Sequence, residues 1–308
     1  FYKAGYDLAL RIGMFCPDTS RRVLFTEDEI KQALRNAPSE ITLGYGKDKI
    51  TIRSRTPEDR NPPTAEGSPL GMSFTEEYYI PLCMAIAQYS VIDIVITPML
   101  DKISGHEIRS RTPYETIMGM YEARYIKEAL RRVGRPGLPL HGVEGAPTEY
   151  GHFGGFLSGG YEPDRTIGIA LIPEPIVLTY QILHRVAANQ LIGSPLEAGH
   201  MLNIGGYFGS PEGAVVGSVA AQILQTVSML PTVVESTILD ARYFGNTGRE
   251  ALWASSISMQ ARSRNNKVMN LGITSQVSGP CTNMLLYETS TISIADSVSG
   301  VAIEIGTR

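Results

Sequence analysis

What is scarce in this chain narrows its class first. Cysteine occurs three times in 308 residues, at Cys16, Cys83 and Cys281. So few, so scattered, they exclude a disulfide framework and point to a reducing compartment, so a cytoplasmic protein is expected. Excess basic charge is missing: 27 Lys and Arg stand against 31 Asp and Glu, a net charge of -4. With no basic stripe to neutralise phosphates, nucleic acid is excluded as the main partner. No apolar run approaches the roughly 20 residues a membrane-spanning helix needs, and no signal peptide opens the chain, so no membrane association is expected. Repeats and low-complexity tracts are absent as well. What remains is 43% hydrophobic and 19% charged, enough to bury a large core. The chain begins inside a helical pattern and stops just after a strand pattern, so a longer protein, incomplete here at both ends, is expected.

Residues 1–14 carry apolar positions Tyr2, Tyr6, Leu8, Leu10 and Ile12, which predict an amphipathic helix. Thr26-Glu-Asp-Glu29 is a capping box that opens a second helix, running to about Asn36. Residues 41–43 and 50–52 flank a glycine-bearing turn and read as a hairpin. Together 1–62 form an N-terminal helical and hairpin layer, or lid, covering the remainder of the chain. From 63 onward strand and helix patterns alternate. Strands are expected at 64–67, 92–96, 138–141, 166–171, 201–204, 233–238, 268–273 and 301–305. Helices are expected at 76–89, 113–132, 175–188, 212–229, 249–263 and 283–295, with a weaker glycine-rich one between 140 and 166. Eight strands joined by crossover helices predict an α/β (β/α)8 TIM-type barrel over 63–308, with a doubly wound sheet as the alternative.

Barrel enzymes gather their chemistry at the C-terminal ends of the strands. That makes Glu66, Thr97, His141, Asn203, Glu235, Asn270 and Gln276 a candidate rim. His141 ends Leu138-Pro-Leu-His141 with Gly142 behind it, where an imidazole can act as acid, base, hydrogen-bond donor or ligand. A purely structural histidine is the alternative. Glu144 and Glu149 follow in the next loop and are candidates for fixing its tautomer. Glu66 and Glu235 are candidate inward carboxylates, with Glu174 and Glu197 placed in nearby loops. An acid inside a barrel is costly unless paired, so an inward Glu235 points to function; pairing with an arginine on the helix side is the alternative.

Ile204-Gly-Gly-Tyr-Phe-Gly-Ser-Pro-Glu-Gly213 is a strand-to-helix turn with Ser210 as N-cap and Pro211 at the first helical position. Phe244-Gly-Asn-Thr-Gly-Arg-Glu250 makes a second. Neither is a dinucleotide fingerprint. Two glycine-lined turns on one rim nonetheless suit a wide cofactor, which makes Gly205, Gly206, Gly245 and Asn246 its candidate contacts. His141, His152, His200 and Cys281 lack any metal-ligand spacing, so no metal is expected. Cys281 reads as a packing cysteine.

Eight short motifs run in order along the chain: Lys3-Ala-Gly-Tyr6, Cys16-x-Asp-Thr19, Phe25-Thr-Glu-Asp-Glu-Ile30, Ser110-x-x-Pro-Tyr-Glu115, Gly134-Arg-Pro-Gly137, Gly205-Gly-Tyr207, Asn246-Thr-x-Arg-Glu250 and Gly279-Pro-Cys-Thr282. The set resembles the monomethylamine:corrinoid methyltransferase family. The resemblance implies a (β/α)8 barrel that passes a methyl group from a methylamine to the Co(I) corrinoid of a partner protein. It also implies a homo-oligomer, a hexamer in that family, and a place in anaerobic one-carbon metabolism such as methanogenesis. The corrinoid (cobalamin) is expected on the partner, with no tightly bound cofactor in this chain.

The family carries pyrrolysine shortly after Gly-Arg-Pro-Gly, and here that position is His141. Imidazole is a nucleophile and base, so it cannot form the adduct expected of pyrrolysine's electrophilic imine. Its expected role is to shape the pocket or hydrogen-bond the substrate. The family's next acid-bearing strand corresponds to Arg165-Thr-Ile-Gly168, without a carboxylate. Glu197 stands for the acid before the Gly-Gly-Tyr strand end, and Gln276 for the family glutamine. The resemblance and the rim together make His141, Glu197, Glu235 and Gln276 the expected catalytic residues, and Glu66, His200, Asn203, Tyr207 and Phe244 the expected substrate contacts. The departures favour a small methylated amine, including a quaternary amine held by Tyr150, Tyr207 and Phe244. A non-catalytic barrel subunit that binds a corrinoid protein, and a metal-dependent hydrolase or lyase, are the alternatives.

Overall fold

The structure is a computed structural model that describes residues 1–67, 71–143 and 146–307. Glu144, a candidate partner of His141, lies outside the described residues. Eight parallel strands close into a barrel: β1 (Thr64–Gly67), β2 (Ile94–Ile96), β3 (Leu140–Gly142), β4 (Thr166–Ile172), β5 (Leu196–Ile204), β6 (Val233–Glu235 and Thr237–Asp240), β7 (Met269–Thr274) and β8 (Ile303–Thr307). β8 pairs with β1, which closes the ring, and the expected barrel replaces the doubly wound alternative. Two strand expectations need correction. β5 begins at Leu196, five residues before the sequence pattern suggested, and β6 is interrupted at Ser236.

Two helices precede the barrel, α1 (Tyr2–Ile12) and α2 (Glu27–Asn36). Crossovers follow as α3 (Glu76–Ala87), α4 (Pro113–Arg132), α5 (Glu149–Leu157), α6 (Tyr180–Ile192), α7 (Pro211–Met229), α8 (Arg249–Ser263) and α9 (Asn283–Ser299). The capping box of α2 forms as expected: Glu29 N–H donates to Thr26 Oγ1 at 3.2 Å and Thr26 N–H to Glu29 Oε2 at 2.8 Å. The helix expected at 175–188 starts instead at Tyr180, where Thr179 accepts from Ile182 N–H. Residues 176–178 are taken by packing: Ile176 and Leu178 are buried, and Leu178 N–H donates to Phe15 O.

α7 is buried on most sides because α1 and α2 cover the face turned away from β5 and β6. Gly5 permits the α1 contact, since a Cβ there would lie 2.5 Å from Val219 Cβ. The hairpin (Glu40–Leu43 paired with Ile50–Arg53) closes the N-terminal end of the barrel. Leu43 and Ile52 pack with Ile94, Ile167, Val233, Met269 and Ile303. Gly44 and Tyr45 N–H donate to the carbonyls of Asp164 and Gly137, just ahead of β4 and β3. The hairpin is thus a floor, and the opposite end is left for the chemistry.

Candidate active site

His141 projects from the tip of β3 into the barrel, completely buried. Its Nδ1 lies 2.9 Å from Oε1 and 3.2 Å from Oε2 of Glu66, on β1. Its Nε2 lies 2.7 Å from Oε2 of Glu197, on β5. The three residues come from alternate strands, the way a barrel interior is filled. Both ring nitrogens face carboxyl oxygens, Nδ1 in a hydrogen bond to Glu66 and Nε2 at ion-pair distance from Glu197, an arrangement that favours the protonated ring. Burial pushes the His141 pKa down, yet the charges of Glu66 and Glu197 outweigh it and hold the ring well above the usual histidine range. Burial raises the Glu66 pKa, with His141 pulling the other way.

Glu235 joins the group from β6. Glu197 Oε1 and Glu235 Oε2 converge on Gly199: a Cβ on that glycine would lie 3.3 Å from the first and 2.8 Å from the second. Leu171 Cδ2, from β4, closes on the same point, and its side chain is 42% exposed at the open end. Among the described residues the interior therefore sets the His141 ring against three acidic side chains, those of Glu66, Glu197 and Glu235. Arg262, whose charge feels Glu235, lies behind the sheet, on Asn270 Oδ1 and the Ser236 carbonyl. Around the cluster the wall is apolar, with Ile96, Ile169, Leu271, Ile273 and Ile305. The excess of acids over cations among the described residues of this apolar interior favours a positively charged guest.

The other expected site residues divide. Glu197, placed in a loop from sequence, sits on β5 and reaches His141. His200 is on the opposite face of that strand: its Nδ1 donates to Ile172 O at 3.1 Å and its ring meets Phe208 edge-on, among the helices. Burial holds its pKa low, so it is a neutral packing residue and not a substrate contact. Asn270 also faces outward and accepts from Gln222 and Arg262. Glu149 sits 3.5 Å from His184 Nδ1 and is not a partner of His141. Thr97 sends its N–H to the His141 carbonyl, which fixes the tip of β3. Asn203 donates from N–H and Nδ2 to Glu174 and so anchors the loop after β4. Gln276 is half-buried in the loop after β7.

Tyr207 and Phe244 are 75% and 65% exposed, and Tyr150 is exposed as well; these aromatics face solvent and do not enclose the carboxylates. Gly205 adopts φ +84°, open to glycine without strain, and Gly206 follows it in the turn. Gly245 packs under Ser275 and Val277. The Asn246 amide spans Ile273 O and Ser275 N–H, which ties the β6 loop to β7. Those last two residues build the rim rather than offer free contacts. Sequence reasoning missed Leu171 and Gly199. Period-2 alternation from Glu197 would have pointed to Gly199, had the start of β5 been recognised.

Among the described residues no group of three or more His, Cys, Asp or Glu is placed to hold a metal ion, and no helix is long and apolar enough to cross a membrane. His152 hydrogen-bonds Asn189 on the far side of β4, and Cys281 is exposed.

Comparison with known proteins converges on one family. The family model described as monomethylamine methyltransferase MtmB matches residues 1–308. Monomethylamine methyltransferase MtmB1 of Methanosarcina acetivorans is 28% identical over 305 residues, and MtmB of Methanosarcina mazei is 28% identical as well; each alignment covers 99% of this chain. The chain spans 66% of the length of these relatives. The crystal structure of Methanosarcina barkeri monomethylamine methyltransferase superimposes with a TM-score of 0.96 at 27% identity, over 99% of this chain and 66% of that one. A crystal structure of a hydroxylamine MtmB complex gives the same values.

Proposed function

Because the chain belongs to the monomethylamine methyltransferase MtmB family, we propose that it forms the catalytic barrel of a methyltransferase. In this reading it moves a methyl group from a small, positively charged methylated amine to the Co(I) corrinoid of a partner protein in the cytoplasm. The observation that carries the reading is the buried cluster of Glu66, Glu197 and Glu235 around one imidazolium. The guest brings positive charge into an apolar barrel, and the carboxylates replace the water it gives up. When bound, the partner's corrinoid supplies a cobalt nucleophile. The methyl carbon leaves nitrogen, the C–N electron pair stays with nitrogen, and an ammonium donor departs as a neutral amine with no proton to deliver. His141 therefore acts as neither nucleophile nor acid: it holds Glu66 and Glu197 in place so that the donor is oriented. The rim fits the approach of a wide macrocycle, since the Gly205 turn is uncrowded and Tyr207 and Phe244 offer flat, exposed surfaces. Assembly into a homo-oligomer, the hexamer of the family resemblance, belongs to the same proposal.

A quaternary amine is the second reading. The exposed rings of Tyr207 and Phe244 favour it, because they are cation–π surfaces. The test is methyl transfer by the full-length protein to a reduced corrinoid protein, followed by the corrinoid spectrum, across methylated amines, sulfides and ethers. Turnover that falls in Glu197→Gln supports the proposal. No turnover with any donor overturns it.

A further inference from the structure

At the closed end of the barrel, away from His141, a cavity of about 390 Å³ opens between α4, the turn after α5 and the floor hairpin. Its walls include Tyr45, Arg124, Lys127, Arg131 and Arg165. Three of these cations come from one helix. Arg124, Lys127 and Arg131 stand at i, i+3 and i+7 of α4, on a face beside the one that buries Ala123, Ile126 and Leu130. At about 1.5 Å of rise per residue, the row spans roughly 10 Å.

Arg165 forms a further wall. It directly precedes β4 and is only 1% exposed, a burial that a guanidinium tolerates when its donors are bound. Nε donates to Glu162 and Nη1 to the Pro136 carbonyl, while Cζ lies 5.6 Å from the centre of the Tyr45 ring. Nη2 has no hydrogen-bond partner among the described residues. The acids here do not balance the cations. Glu162 is shared by Lys127 and Arg165, and Glu128 by Arg131 and Arg132. Arg124 rests over the Tyr121 ring at 5.8 Å and has no acidic partner among the described residues. These five cations and two carboxylates leave a surplus of three positive charges. The end of α4 accounts for Arg131 and Arg132, since cations suit a helix C-terminus. It does not account for Arg124, or for a buried Arg165 that shares its acid with Lys127.

We propose that this cavity binds a small anion carrying two linked phosphates, gripped by Arg124, Lys127 and Arg131 along α4 and by Arg165 from the side of β4. Guanidinium groups match phosphate oxygens with paired N–H donors, and their bonds to an anion are the strong, charge-assisted kind. A row of cations roughly 10 Å long exceeds the reach of one phosphate and suits two. The volume falls in the range of small-molecule sites, roughly 300–1,000 Å³, and the patch is too short for a nucleic-acid strand. Because the cavity lies under the floor hairpin and not at the rim, it is separate from the His141 cluster, and the assignment stands independently of the methyl-transfer reading.

The test is titration calorimetry on the full-length protein with sodium pyrophosphate and, separately, sodium phosphate, at constant ionic strength and without magnesium. Saturable binding of pyrophosphate, at least tenfold tighter than phosphate, is expected. Arg124→Gln/Lys127→Gln changes side chains on the solvent side of α4, so the fold should survive, and it should weaken pyrophosphate tenfold or more. Arg53→Gln/Lys267→Gln removes two cations from a different cavity, at the end of α8, and should leave the affinity unchanged. No saturable binding, equal affinity for the two anions, or an equal loss in the two double variants overturns the assignment. The last outcome would mean that pyrophosphate senses only the general charge of the surface.

Discussion

Replacing both carboxylates around His141 by their amides isolates what the imidazolium contributes to stability. Glu66→Gln/Glu197→Gln keeps side-chain shape and removes both charges that hold the ring protonated. In the wild-type protein the folded pKa of His141 stands well above its usual value, while an unfolded histidine titrates near pH 6.5. Folding therefore takes up a proton at higher pH. The stabilisation is fully present below about pH 6.5 and is lost as pH rises through the folded pKa, with a limiting slope of about 1.4 kcal/mol per pH unit. In the double variant only burial acts, and it pushes the ring pKa down. Folded and unfolded rings are then both neutral above about pH 7, so the slope vanishes there. At about 2–4 °C per kcal/mol for a domain of this class, wild type should lose roughly 3–6 °C more per pH unit than the variant between pH 7 and 8.5. Urea unfolding at pH 6.5, 7.5 and 8.5 measures the slope, and 15N NMR of the ring reads its protonation directly. Neutral-ring shifts at pH 8 in the wild type, or equal slopes in the two proteins, would refute the clamp.

Thr26→Ala removes the half of the α2 capping box made by the Thr26 hydroxyl, which accepts from Glu29 N–H, and should cost about 1 kcal/mol, read as a lower urea midpoint with an unchanged m-value. Asp296 is pushed up to about 7 by burial, against the pull of Arg262, so its contribution to stability is present below about pH 4 and fades as pH rises toward 7; Asp296→Asn should flatten the pH–stability curve over that window. His152 goes the other way, with burial holding it down to about 3. Stability should fall as pH drops from about 6.5, and His152→Phe should remove that dependence while costing about 1–3 kcal/mol at pH 7 through the lost Asn189 bond. Of the three thiols only Cys281 is exposed, so a thiol reagent should label one cysteine in the native protein and three in urea.

Elements whose cause is local could be read in advance. α4 begins at Pro113, a residue suited to a first helical turn, and ends in Arg131 and Arg132 before Gly134; its limits were readable to the residue. β2 shows as an unbroken, fully buried apolar run, Ile94-Val-Ile96, whereas β1, β3, β5 and β6 are interrupted by the acids and the histidine of the site. α6 was misplaced because Pro175 carries the same signal as Pro113. Its effect is overridden by the burial of Ile176 and Leu178 and by the pairing with Phe15, and neither has a local signature.

The site obeys the same division. That a histidine ends β3 is a local fact, whereas its meeting with Glu66 across 75 residues depends on how the barrel closes. β5 shows how little separates a right from a wrong assignment. Read as a strand from Met201, it leaves both Glu197 and His200 in a loop, with equal claims on the pocket. Read from Leu196, alternation sends Glu197, Gly199 and Met201 inward and turns Ala198 and His200 to the helices. A shift of one residue in β5 would exchange the two sets and bring a neutral histidine to the place where Glu197 now faces His141. The clamp therefore depends on the pairing of Gly168 with Leu196 that sets β5 against β4. A substitution that moves that register should abolish the pH signature of His141 even with all three clamp residues intact.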